Sequence, residues 1–134
     1  MAFVGFDFTR MNVARNTGVT GKIQVNNKVN ITSVDPADLK LKNSPQGAVK
    51  FGFKYDSDYG KLGAINLEGS VTYITTNEES KAIVSSWKKD KKLKKDLMAQ
   101  LLNRILQKCN VQTILLSDAV NLPPPVPMPK VKTE

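Results

Sequence analysis

Val49-Lys50-Phe51-Gly52-Phe53-Lys54-Tyr55, followed by Asp56-Ser57-Asp58-Tyr59-Gly60, decides the fold class. Val49, Phe51, Phe53 and Tyr55 fall on one face, and Lys50, Gly52 and Lys54 on the other. Period two with one polar face marks a strand of an antiparallel sheet covered on one side. The Asp/Ser/Gly cluster that ends it is a hairpin turn. Downstream, Ile65, Leu67, Val71 and Tyr73 alternate with Asn66, Glu68, Ser70 and Thr72, which predicts the returning strand. Upstream, Ile23, Val25, Val29 and Ile31 alternate with Lys22, Gln24, Asn26, Lys28 and Asn30, with a bulge or short hairpin at Asn26-Asn27. Between these strands, Ser33 to Gln46, with Asp35-Pro36 and Ser44-Pro45, reads as a connecting loop.

After Tyr73 the period changes. Thr75 and Thr76, followed at three residues by Glu78 and Glu79, offer two registers of a capping box. Ala82, Ile83 and Trp87 form the stripe of a first helix. Leu93, Leu97, Leu101, Ile105 and Cys109 step by four along a second, flanked by Met98, Leu102 and Leu106. Asn110 reads as a cap or interruption, with Val111, Ile114, Leu115 and Ala119 opening a short third helix. Leu122-Pro123-Pro124-Pro125-Val126-Pro127-Met128-Pro129-Lys130 holds five of the seven prolines and reads as polyproline II. The expected fold is α+β: a small antiparallel sheet of three or more strands packed on two or three C-terminal helices, with a Pro-rich tail. The expected division is an aromatic and basic arm at 1–18, one domain at 19–122, and an extended tail at 123–134.

Composition narrows the chemistry. The 134 residues suit one domain. Histidine is absent and cysteine occurs once, at Cys109, so neither a Ser-His-Asp nor a Cys-His apparatus is available, nor the usual N/S ligands of a zinc site. Gly60, Gly63 and Gly69 have no phosphate-loop spacing. Cys109 lies on an apolar stripe and reads as a core residue. The expectation is a non-enzyme without cofactor or metal. The chain has no signal-like N-terminus and no apolar run of membrane-spanning length, which points to the cytoplasm.

The net charge of +8 is polarised. Residues 1–54 hold eight basic against three acidic side chains, residues 55–87 two against five, and residues 88–134 ten against four. Lys88, Lys89, Lys91, Lys92, Lys94 and Lys95 crowd the junction of the two helices. The last turn of the first helix welcomes cations; the first turn of the second does not, at about 0.3–1 kcal/mol each in low salt. Two readings stand: a solvated corner, or a site where a bound anion offsets the repulsion. Lys22, Lys28, Lys50 and Lys54 occupy polar sheet positions and form a second basic surface if their strands pair.

The run Trp87-Lys88-Lys89, Lys91-Lys92-Leu93, Leu102-Asn103, Ile105-Leu106, Lys108-Cys109-Asn110 and Asn121 to Pro125 looks like that of a group of small archaeal proteins of uncertain function, over roughly residues 47–131. The order of elements, strands then long helices ending in Leu122-Pro123-Pro124-Pro125, resembles the SecB-type export chaperones. That resemblance implies a SecB-like fold and either client binding or a role on a larger assembly. Chaperones of that type tend to be acidic and to hold unfolded chains in apolar grooves; the basic charge here departs from that pattern.

The favoured expectation is a basic accessory protein of a ribonucleoprotein, ribosome-associated and contacting RNA backbone through Arg10, Arg15, Lys22, Lys28 and the six helix-junction lysines. Phe3, Phe6, Phe8, Pro123, Pro124, Pro125, Lys130 and Lys132 are the expected contacts to protein neighbours. Phe3, Phe6 and Phe8 also suit a packed edge strand, and the tail also suits docking along its own domain. Two alternatives remain. One is a SecB-like chaperone for unfolded polypeptides, and the other an adaptor read through its Pro-rich tail. No membrane partner is expected, and the oligomeric state is left open.

Overall fold

A computed structural model of the chain describes residues 2–18, 21–37 and 46–125. Four strands form one antiparallel sheet: β1 (Ala2–Arg15), β2 (Asn26–Ala37), β3 (Gln46–Asp58) and β4 (Gly63–Thr76). Two helices follow, α1 (Asn77–Asp90) and α2 (Lys95–Ala119), both packed on one face of the sheet. The strand order β1-β4-β3-β2 makes a Greek key, in which β2, β3 and β4 meander and β1 joins the far side of β4.

The alternation in β3 and β4 sets the core. Tyr73 faces Val49, Val71 faces Phe51 and Leu67 faces Tyr55 across the ladder, all under the helices and all nearly inaccessible. Burial of such side chains contributes about 1.5–3 kcal/mol each. Gly69 supplies the space this packing needs: a Cβ there would meet the Asp7 carbonyl oxygen and lie 2.9 Å from Cζ of Phe53. Phe6 and Phe8 close over Phe53 at ring-centroid distances of 5.1 and 6.1 Å.

Several expectations are corrected. Over Ala2–Arg15 the chain takes the packed edge-strand alternative to an arm: it is β1, hydrogen-bonded to β4. The segment from Ser33 is not a loop: β2 continues through Ala37, with Pro36 opposite Val49. An edge strand tolerates proline because an outward N–H has no ladder partner to lose. The bulge in β2 lies at Thr32, between Ile31 and Ser33, not at Asn26-Asn27. It shifts the parity so that Val34 turns inward and is 3% exposed. The predicted third helix is absorbed into α2, which runs through Asn110 without a break.

Local chemistry fixes the helix ends. Thr76 caps α1 by accepting from the Glu79 N–H at 3.2 Å, while the Thr75 hydroxyl donates to Glu79 Oε2 at 2.8 Å. Of the two capping registers, the second is used. Lys91 ends α1 in the left-handed region at φ 53, its N–H donating to the Trp87 carbonyl. Asn121 (φ 60) ends α2, and the Leu122 N–H reaches back to the Ser117 carbonyl at 2.8 Å, a Schellman-type closure. Leu122 is buried beyond it. The tail then docks: the Tyr59 hydroxyl donates to the Pro123 carbonyl, and Asn27 Nδ2 donates to the Pro125 carbonyl at 2.9 Å. Val126 to Glu134, including Lys130 and Lys132, lies outside the described residues.

Burial pushes the Cys109 thiol from 9.0 up to about 12. Burial also raises the Tyr59 phenol to about 12, with the neighbouring Tyr55 adding to the shift. Both groups keep their protons in the folded chain at pH values where the unfolded chain has released them. Stability is therefore full below pH 9 and falls as pH climbs toward 12. Urea midpoints measured from pH 7 to 11 should show this decline, and Cys109→Ala should make it shallower. At neutral pH, Gly69→Ala should cost about 1–3 kcal/mol through overpacking against Phe53; an unchanged urea midpoint would contradict the packing described.

Candidate functional site

Two regions of the surface carry more than a solvated fold requires. The first is the inner face of β1. Phe3, Phe6, Phe8, Met11 and Val13 lie opposite Tyr73, Val71, Gly69, Leu67 and Ile65 of β4 and point toward the helix layer. The register holds because Gly5 and Thr9 are bulged out, Gly5 at φ 60. Glycine is the residue that takes this left-handed bulge position without strain.

None of these five side chains is fully buried, and Met11 is 46% exposed although it faces inward. The cause is the path of α2. Its start lies beside Tyr73 of β4, with Leu97 against the same hollow. Farther along, Cys109 and Thr113 lie beside Tyr55 of β3. The helix thus drifts from β4 toward β3. At the level of Met11 the row across the sheet reads Met11, Leu67, Tyr55. In that row Leu67 and Tyr55 are sealed, while Met11, at the edge of the sheet, is not. A strip of aromatic and thioether surface remains beside an edge strand whose outer side has no neighbouring strand among the described residues.

At the upper end of the strip, Phe3 rests on Tyr73 with ring centroids 4.8 Å apart. Beside Tyr73 a hollow of about 350 Å³ opens between the starts of the helices, lined by Glu79, Lys94, Asp96, Leu97 and Gln100. Burial raises the Tyr73 phenol above its ordinary value, and the Glu79 carboxylate adds to the shift. Apolar floor, charged rim and free edge together suit an extended peptide better than a small substrate. Among the described residues, no group of three or more His, Cys, Asp or Glu could hold a metal ion. Among the same residues, no helix is long and apolar enough to cross a membrane.

The second region is the lysine corner. Lys88 and Lys89 close the last turn of α1, Lys91 holds its left-handed cap, and Lys92 follows. Lys94 occupies the N-cap of α2 with no side-chain hydrogen bond there, and Lys95 opens the helix. The backbone is tied locally by the Ser86 hydroxyl, which donates to the Lys92 carbonyl at 2.9 Å. All six lysines are exposed.

The other four expected nucleic-acid contacts are not gathered with that corner. Arg10 and Lys28 lie on the opposite face of the sheet, Arg15 ends β1, and Lys22 precedes β2. Nor do the sheet lysines form a second basic surface. Lys28 faces Asp56, Lys50 faces Asp35, and Lys54 and Arg10 both face Glu68 across the ladder. The strands pair as expected, but the register sets a carboxylate against each cation.

Sequence reasoning singled out Phe3, Phe6 and Phe8 but missed Met11, Val111 and Leu115. Of these, Met11 was detectable, because the spacing 3-2-3-2 from Phe3 to Val13 is what alternation becomes when two residues are bulged out.

The Greek-key sheet backed on one face by two helices defines the class: the chain has a SecB-like α+β fold. Among solved structures it is similar to the Mycobacterium tuberculosis Rv1957 SecB-like chaperone in complex with a ChAD peptide from the Rv1956 HigA1 antitoxin. The TM-score is 0.51 at 13% identity, covering 92% of this chain and 82% of that one. No protein-family model matches the sequence, and the search of curated proteins found no match.

The N-cap of α2 gives a direct check on the lysine corner. Lys94→Asp supplies the missing cap and complements the helix dipole, and should raise stability by about 0.5–2 kcal/mol, more at low salt. Thermal or urea denaturation reads this out. A loss of stability would show that Lys94 makes a compensating contact.

Proposed function

We propose that the protein is a non-enzymatic, SecB-like chaperone of the cytoplasm that holds extended polypeptide segments along β1. The observation that carries this reading is Met11, an inward-facing core-type side chain that the helix layer leaves 46% exposed beside a free strand edge. A client segment pairing with the β1 backbone would place alternate side chains over Phe6, Phe8 and Met11. Main-chain hydrogen bonds then give affinity with little sequence preference, and the apolar strip selects for hydrophobic residues. The fold likeness to a SecB-like chaperone supports the same reading.

The basic corner suits clients with acidic stretches, since long-range attraction raises encounter rates without fixing sequence. The ribonucleoprotein reading has weaker support, because the cations proposed for RNA contact lie on both sides of the sheet.

The test is dilution of a urea-denatured client into buffer with the full chain, followed by light scattering. Stoichiometric protein should suppress aggregation. Met11→Asp, an exposed substitution that leaves the circular dichroism spectrum intact, should weaken suppression several-fold. Unchanged scattering with folded wild type in tenfold excess would overturn the proposal. So would salt-sensitive capture on RNA without any effect on the client.

A further inference from the structure

More than half of the chain's net charge sits on one corner of the fold. Residues 88–95 hold six lysines against one carboxylate, Asp90, a net of +5 out of +8. All six lysines are exposed, and the run joins the last turn of α1 to the first residue of α2. The make-up of the corner restricts what it binds. It is lysine throughout; the chain's three arginines, Arg10, Arg15 and Arg104, all lie elsewhere. Arginine's planar fork suits partners that hold phosphates or carboxylates in fixed positions, which it grips through paired hydrogen bonds. Lysine is a hydrated point charge on a long flexible stem. Six of them within eight residues suit a diffuse anionic surface, one that is met equally well in many arrangements.

A second, independent feature adds an apolar element. Beside Lys94 a hollow of about 180 Å³ is lined by Ala82, Ile83, Ser86 and Leu93, with Glu79 and Lys94 shared between it and the hollow at Tyr73. A nucleic-acid backbone has no hydrocarbon to place there. A phospholipid carries its phosphate and its hydrocarbon side by side.

We propose that the lysine corner is a docking surface for a bilayer bearing anionic phospholipids. The six ammonium groups lie against the headgroup phosphates, and the hollow at Leu93 receives hydrocarbon. Contact of this kind needs no spanning helix, and among the described residues none is long and apolar enough to be one. Each lysine near such a surface raises partitioning about fivefold, an attraction that fades within a Debye length. The contact does not depend on client binding along β1.

Co-sedimentation of the full chain with vesicles tests this, using phosphatidylcholine alone and an equal mixture of phosphatidylcholine and phosphatidylglycerol. The protein should partition onto the mixed vesicles only, and added salt should release it. Lys94→Asp should weaken partitioning roughly tenfold or more. The same substitution supplies a helix cap, so a urea midpoint at or above that of the wild type separates lost binding from lost folding. Lys108→Glu makes the same change in net charge at an exposed position about 20 Å along α2, and should bind as the wild type does. Ala82→Gln, at an exposed helix position, fills the hollow and should weaken partitioning severalfold. Equal partitioning onto both kinds of vesicle, a Lys94→Asp variant no weaker than Lys108→Glu, or an Ala82→Gln variant that binds like the wild type would each overturn the proposal. Tighter binding to single-stranded RNA or to polyglutamate than to the mixed vesicles, at equal anion concentration, would do the same.

Discussion

Four strands with one apolar face must be covered by two helices of unequal length, and most of the molecule's exposed chemistry follows from that mismatch. β1 and β4 have 14 residues each, about 46 Å. α2 spans about 37 Å and α1 about 21 Å. Two helices side by side suffice for the width of the sheet, but not for its length. The helix layer therefore covers β3 and β4 completely and leaves both edges partly bare. Val29 and Ile31 on β2 are half-buried, as are Phe6 and Phe8 on β1, while Val49, Phe51, Ile65 and Leu67 are sealed. The bare strip on β1 differs from that on β2 because it is aromatic and because α2 moves away from it.

The path of α2 has a second consequence. A helix whose core stripe stepped by alternating three and four would keep one side toward the sheet along its whole length. The strict four-residue step of Leu97 to Ser117 instead winds the buried face around the axis. Over the first half, the side away from the sheet carries Asp96, Ala99 and Asn103, and is polar. Over the second half that side is rotated, and Val111 and Leu115 come to the surface. The stretch that sequence reasoning assigned to a separate third helix, from Val111 to Ala119, is this rotated portion. Its apolar residues do not form a new stripe; they occupy the side the core has wound away from.

How much of the fold could be read depends on whether alternation ran unbroken. In β3 and β4 it did, so their partners, faces and buried residues follow directly from Val49 to Tyr55 and from Ile65 to Tyr73. In β1 and β2, bulges at Gly5, Thr9 and Thr32 interrupt the period, and there the readings went astray. Phe3, Phe6 and Phe8 looked like an aromatic cluster on an arm because their spacing is 3-2; with Met11 and Val13 it repeats as 3-2, the trace of two single-residue insertions. Pro36 argued for a loop, yet an edge position removes the penalty proline carries inside a sheet. Asn110 and Asn121 were equivalent as letters. Only Asn121 is followed by an apolar residue with somewhere to go, Leu122, and it is there that the helix stops.

Charge was legible in amount but not in arrangement. Eight net positive charges suggested broad basic surfaces, whereas the ladder spends four cations against Asp35, Asp56 and Glu68 on the outer face of the sheet. Register alone produces this, because Lys28 and Asp56, or Lys50 and Asp35, are far apart in sequence. Asp56 is further engaged by Asn66 Nδ2 at 2.6 Å, which holds it on the ladder. The densest cluster that remains is the helix junction, where Lys94 and Lys95 occupy the uncapped start of α2. Both sit against the positive end of that helix dipole, and repulsion from the neighbouring lysines adds to the cost. The same junction has a non-glycine residue, Lys91, in the left-handed region, which costs about 1–2 kcal/mol more. A corner strained in two independent ways is where an anionic stretch of a bound polypeptide would gain most. It lies next to the hollow at Tyr73 and Lys94, one end of the strip along β1. Under the proposed chaperone function, the lysine cluster stands at one end of the apolar strip, where it would steer an acidic stretch of a client without competing with hydrophobic contacts along β1.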